Sequence, residues 1–141
     1  MVLDTSALLA ILLDEPERRR FNELIEADTV RLISAASVLE AAIVLETRSG
    51  EAAGRELDLF LHRAKVEVTA VDGDQVEIAR AAFRRFGKRR HPAGLNYGNC
   101  FAYALAKASG EPLLFKGTDF AQADVVVADA SGENPTQVNR S

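Results

Sequence analysis

Four oxygen-bearing side chains stand where chemistry is readily built. Asp4 follows the apolar start Met1-Val2-Leu3, and Glu40 closes Ser37-Val38-Leu39-Glu40. Asn99 lies in Leu95-Asn96-Tyr97-Gly98-Asn99-Cys100-Phe101-Ala102, and Asp119 in Lys116-Gly117-Thr118-Asp119-Phe120. Each falls at the end of an expected strand or in the first turns of an expected helix. Carboxylates gathered at one strand edge repel one another unless a cation sits between them. Hard oxygen ligands of this kind suit Mg²⁺ or Mn²⁺ rather than zinc. No Cys/His spacing supports a zinc site. Asp124, just before the last expected strand, is a further candidate.

Each residue also has a purely structural reading. Asp4 in Asp4-Thr5-Ser6 suits the cap of the next helix. Ser37 to Glu40 matches a capping box, in which the Glu reaches back to the cap's backbone N–H. Yet Leu39, Ala41, Ala42, Ile43, Val44 and Leu45 surround Glu40, a costly setting for a carboxylate that is not paired or bound. Asn96 suits a cap that places Asn99 at the third helical position, where an acid is favoured by the helix dipole. Asp119 reads equally as an ordinary turn acid. His62 and His91 are isolated, and Cys100 reads as a small packing residue. Arg84, Arg85, Lys88, Arg89, Arg90 and His91 form a basic run around Gly87. It reads either as a solvated helix end or as a phosphate-contacting patch.

The elements that must position these groups alternate. Val2-Leu3, Val30 to Ile33, Val66 to Val71, Leu113 to Phe115 and Val125 to Val127 read as strands. Helices are expected from Ala7 to Leu13, capped by Ser6, and after Pro16, with Phe21, Leu24 and Ile25 on one face. Others are expected to Glu46, capped by Ser34 or Ser37, from Glu51 to Arg63, and from Asp72 or Asp74 to about Phe86. Tyr97, Cys100, Phe101, Ala104, Leu105 and Ala108 follow helical spacing, closed by Gly110 and Pro112. Lys88 to Leu95 reads as a loop. The alternation implies an α/β domain with a mainly parallel sheet over 1–127 and a polar, loose tail over 128–141. In such sheets ligands sit beyond the carboxyl ends of the strands.

The 141 residues suit one domain, and 48% hydrophobic with 27% charged content is ordinary for a globular protein. No apolar run approaches the ~18–20 residues that span a bilayer. No basic region precedes the apolar start, so no secretory signal is expected. A single cysteine fits a reducing cytoplasm. The net charge of −4 argues against generic coating of nucleic acid, and no aromatic stacking ladder accompanies the basic run.

Taken in order, four stretches resemble the PIN-domain ribonucleases, specifically the VapC toxins of VapBC toxin–antitoxin systems. They are Met1 to Ala7, Ser37 to Glu40, Gly94 to Ala106 and Leu113 to Phe120, and the resemblance spans residues 1 to about 127. It implies a three-layer PIN-like domain and a metal-dependent endoribonuclease. Asp4, Glu40 and Asp119 match family acids, and Ser6 matches the small hydroxyl residue beside the first. Position 99 matches a further acid but holds Asn, and Thr118 stands where some relatives carry an extra acid. The resemblance also implies an RNA substrate, a VapB-like antitoxin and a homodimer. Other readings are a catalytically silent PIN-fold binding protein and a metal-dependent DNA nuclease.

Overall fold

The computed structural model describes residues 1–87, 95–117, 120 and 123–128. Its elements are β1 (Val2–Leu3), α1 (Thr5–Leu12), α2 (Arg18–Ala27), β2 (Leu32–Ser34) and α3 (Ala35–Ser49). They continue as α4 (Glu51–Arg63), β3 (Glu67–Thr69), α5 (Gly73–Phe86), α6 (Tyr97–Ser109) and β4 (Leu113–Leu114). The strands form one parallel sheet in the order β3-β2-β1-β4. Val2 stands opposite Leu32 on one side and Leu113 on the other. The chain steps outward from β1 through β2 to β3, then returns as β4 on the far side of β1. The order thus reverses between β1 and β4, and a ligand crevice opens beyond the strand ends at such a reversal.

Successive residues of a strand point to opposite faces. Leu3 and Leu114 accordingly enter a core with Leu8 and Ile11 of α1, Phe21 of α2, Leu45 of α3 and Leu57 of α4. Val2 and Leu113 enter a second core with Phe86 of α5 and Ala102 and Leu105 of α6. The sheet separates α1–α4 from α5 and α6, which is the three-layer α/β arrangement expected. Helix α1 is apolar on nearly every side, as befits a helix that buries Thr5, Ala7, Leu8, Ala10 and Ile11. Gly110 ends α6 in the left-handed conformation, φ 73°, which favours glycine.

The structure decides three local alternatives. Asp4, not Ser6, caps α1, because its carboxylate accepts the Ser6 N–H at 3.0 Å. Ser34, not Ser37, caps α3, so Glu40 lies beyond the first turn and the Ser37–Glu40 capping box does not form. The last expected strand contributes a single parallel bridge, Leu113 to Val127. Residues 88–94, within the stretch expected as a loop, and residues 129–141, within the stretch expected as a tail, lie outside the described residues. Ala128 is buried in the first core, and its N–H bonds the Leu113 carbonyl.

Candidate active site

Asp4 sits where β1 gives way to α1, at the order reversal of the sheet. It is buried, and its carboxylate accepts both the Ser6 N–H and the Ser6 hydroxyl, the latter at 2.6 Å. The same Ser6 oxygen accepts the Lys116 N–H at 3.0 Å, just past β4. The Asp4 N–H donates to the Leu114 carbonyl. Ser6 therefore joins two strand ends that lie 110 residues apart in sequence.

Lys116 fastens a third segment. Its ammonium pairs with Glu15 and, at 3.1 Å, with Glu17, both between α1 and α2. The hydrogen bond from Lys116 holds the Glu17 carboxyl below the usual carboxylate range. Hydrogen bonds to Glu15 and then Glu17 push the Lys116 ammonium up in turn. Gly117 follows with φ 98°, a turn conformation that favours glycine. Thr118 and Asp119 lie outside the described residues. Phe120, beyond them, is buried with its ring 5.1 Å from that of Phe115.

Glu40 stands on α3. It is exposed, not enclosed as its apolar sequence neighbours suggest, because those neighbours point around the helix. Its carboxylate lies against Gly98 in the first turn of α6. Among the described residues it has no hydrogen bond or ion pair. Asn99, the next residue of α6, is buried. The expected cap forms and is reciprocal: Asn96 Oδ1 accepts the Asn99 N–H at 3.0 Å, and Asn99 Oδ1 accepts the Asn96 N–H at 3.1 Å. The Thr5 hydroxyl donates to the Ser37 carbonyl at 3.2 Å, linking the residue after Asp4 to α3 one turn before Glu40. Among the described residues no three Asp, Glu, His or Cys side chains form a metal-binding group.

The remaining candidates sit apart. Asp124 is taken up by the Tyr103 hydroxyl, by Lys107 at 3.3 Å and by Arg85 at 3.3 Å. Burial pushes its carboxyl up, but the Tyr103 hydrogen bond and the two cations outweigh that and hold it below the usual range. Arg85 also lies over the Phe86 ring, 4.7 Å from its centroid. Arg84 is exposed and borders a cavity of about 610 Å³ between α5 and α6, floored by Phe83, Cys100, Phe101 and Ala104. Lys88, Arg89 and Arg90 lie outside the described residues.

A PIN-domain family model matches residues 1–126. The chain belongs to the PIN-domain family. Ribonuclease VapC30 of Mycobacterium tuberculosis is 62% identical over 125 residues, covering 89% of this chain and 95% of that relative. Within the family the chain thus belongs with the VapC ribonucleases, hydrolytic nucleases that are the toxins of toxin–antitoxin systems. Two solved structures share the fold. Mycobacterium tuberculosis VapC20, described as a sarcin-ricin loop cleaving toxin, aligns with a TM-score of 0.72 at 20% identity, covering 89% of this chain and 95% of that one. VapBC2 from Rickettsia felis, bound to a DNA fragment from its promoter, aligns at 0.66 and 16% identity, covering 86% and 90%.

Two residues of this PIN domain escaped the reading of the sequence. Lys116 was visible only as part of a motif, since its partners Glu15 and Glu17 are about a hundred residues away. Gly98 carried a signal that went unused: a glycine inside a helical turn costs stability and so asks for a reason.

Proposed function

We propose that this protein is an RNA-cleaving toxin in which Asn99 impairs metal-dependent hydrolysis of the phosphodiester bond. The observation that carries the reading is the Glu40 carboxylate resting on the helix turn that bears Asn99. PIN-domain VapC ribonucleases are generally metal-dependent. Asp4, Glu40, Asn99 and Asp119 would hold Mg²⁺ or Mn²⁺, and two carboxylates with a buried amide oxygen are donors of the fitting hard class. Bound there, a divalent cation supplies Lewis acidity toward the phosphodiester and acidifies a water.

The chain's own residues prepare that site. Ser6 fixes the Asp4 carboxylate, and the cap with Asn96 fixes Asn99 Oδ1. Asn99 keeps one neutral oxygen but lacks a negative charge. Loss of even an outer partner of a metal ligand commonly costs ~10–100-fold in affinity or activity, and loss of a ligating anion costs at least that. The test is cleavage of RNA and of DNA with Mg²⁺, Mn²⁺ or EDTA, by this protein and by Asn99→Asp. We expect Asn99→Asp to cut RNA at least ~10–100-fold faster, with EDTA abolishing the activity. An Asn99→Asp protein inert on every RNA would favour a silent PIN-fold binding protein. Cleavage of DNA would favour a DNA nuclease.

Partners follow from the same reading. A VapB-like antitoxin in the cytoplasm is supported by the relatives, one of which is itself a VapBC pair. A homodimer is supported by an apolar face on which Leu39, Ile43, Val76, Phe83 and Tyr97 are exposed. Tyr97 and Phe101 line both the α5–α6 cavity and a second of about 290 Å³ beside Glu40, so this face is continuous. The alanines of α3 and α4 contribute to the core rather than to this face: Ala41 is buried, and Ala42 and Ala53 pack on the same core. A purely monomeric species in sedimentation at micromolar concentration would remove the dimer. Arg84, Arg85, Lys88, Arg89 and Arg90 are proposed to hold the RNA backbone. Their replacement should lower the salt dependence of RNA binding, by about 0.7 in log–log slope per lost contact.

A further inference from the structure

Gly98 lies within the first turn of α6, where glycine is a poor helix former. Its backbone does not explain it. The glycines with positive φ among the described residues are Gly50, Gly110 and Gly117, so Gly98 adopts a conformation open to any residue. Space explains it. A Cβ placed on Gly98 would overlap Oε2 of Glu40 and lie 2.9 Å from its Cδ and Oε1, and these three atoms are its nearest neighbours.

We propose that Gly98 is a positioning residue, which seats the Glu40 carboxylate on the start of α6 beside Asn99. Glu40 has no hydrogen bond or ion pair among the described residues, so two general effects hold it there. The missing side chain leaves room for the carboxylate, and the positive end of the α6 dipole attracts it. The functional part of the inference rests on the reading that Glu40 is a metal ligand. The seating part does not.

The obstructed group is the far end of a flexible side chain. An alanine at 98 would therefore turn Glu40 aside while leaving the fold intact. Stability and metal binding should then move in different directions, because alanine is the better helix former.

The experiment is a double-mutant cycle of Gly98→Ala and Glu40→Ala, read first by unfolding without metal. We expect Gly98→Ala to raise the unfolding midpoint more when Glu40 is already Ala, since nothing then resists the new methyl group. Additive effects would overturn the proposal. So would failure of the double variant to fold, because its methyl group meets no carboxylate. The second readout is Mn²⁺ binding by calorimetry, with all variants made in the Asn99→Asp protein. We expect Gly98→Ala to weaken binding ~10–100-fold when Glu40 is present and to add nothing when it is absent. Coupled unfolding together with Mn²⁺ affinity indifferent to Glu40→Ala would uphold the seat and sink the metal-ligand reading. The two claims can therefore fail separately.

Discussion

The two sides of the candidate site are built in opposite ways. On the β1–β4 side, Asp4 is buried, Ser6 donates to it twice, and Ser6 in turn receives the Lys116 N–H. Lys116 then reaches Glu15 and Glu17. On the α3–α6 side, Glu40 is exposed and rests against Gly98. The first acid is fixed by hydrogen bonds that the fold itself requires, since they join strand ends. The second is admitted by a gap and drawn by a helix dipole. A site assembled from a fixed half and a yielding half can be complete in its framework before any ligand arrives, with one carboxylate left to adjust.

That contrast is open to direct attack. Ser6→Ala should have the largest effect on stability. It takes a 2.6 Å donor from Asp4 and leaves the Lys116 N–H without its acceptor. Such a loss costs about 1–3 kcal/mol, measurable by urea unfolding. A change below about 0.5 kcal/mol would mean that the β1–β4 side is not fixed in this way.

Glu40→Gln should sharpen the comparison from the other side. Because Glu40 is exposed, its replacement should shift stability by no more than about 0.5 kcal/mol. Mn²⁺ binding to the Asn99→Asp protein should nevertheless weaken ~10-fold or more. Should Glu40→Gln destabilise as much as Ser6→Ala, the distinction between the two halves disappears.

Asp124 supplies a control with the smallest expected effect. Its burial is outweighed by Tyr103, Lys107 and Arg85, so its carboxyl titrates below the ordinary Asp value in the folded protein. A depressed carboxyl contributes stability that is full above the unfolded value of about 3.9 and is lost as pH falls through the folded value. Asp124→Asn should flatten stability against pH below about 4. Mn²⁺ affinity at neutral pH should stay unchanged, because this cluster ties α5 and α6 to the segment after Phe120. A loss of Mn²⁺ affinity would place Asp124 within the site after all.

What the sequence settled by itself is local. The extent of α4, the Asn96 cap with Asn99 at the third position, and the Gly110 stop all follow from residues within one or two turns of each other. Their energetics are short-range, so their residues alone declare them. Asp4 directly after the first strand was likewise legible from the chain around it. The tertiary structure decided the rest. Nothing near Ser6 announces a hydrogen bond from Lys116, and nothing near Arg85 announces Asp124. Glu40 looked enclosed because its neighbours in sequence are apolar, yet a helix turns those neighbours toward different surroundings. Gly98 became intelligible only when α3 brought a carboxylate to the space where its side chain would stand. Pairings of this kind depend on which strand ends meet and which helices cross, and that is fixed by burial of the whole core on both faces of the sheet.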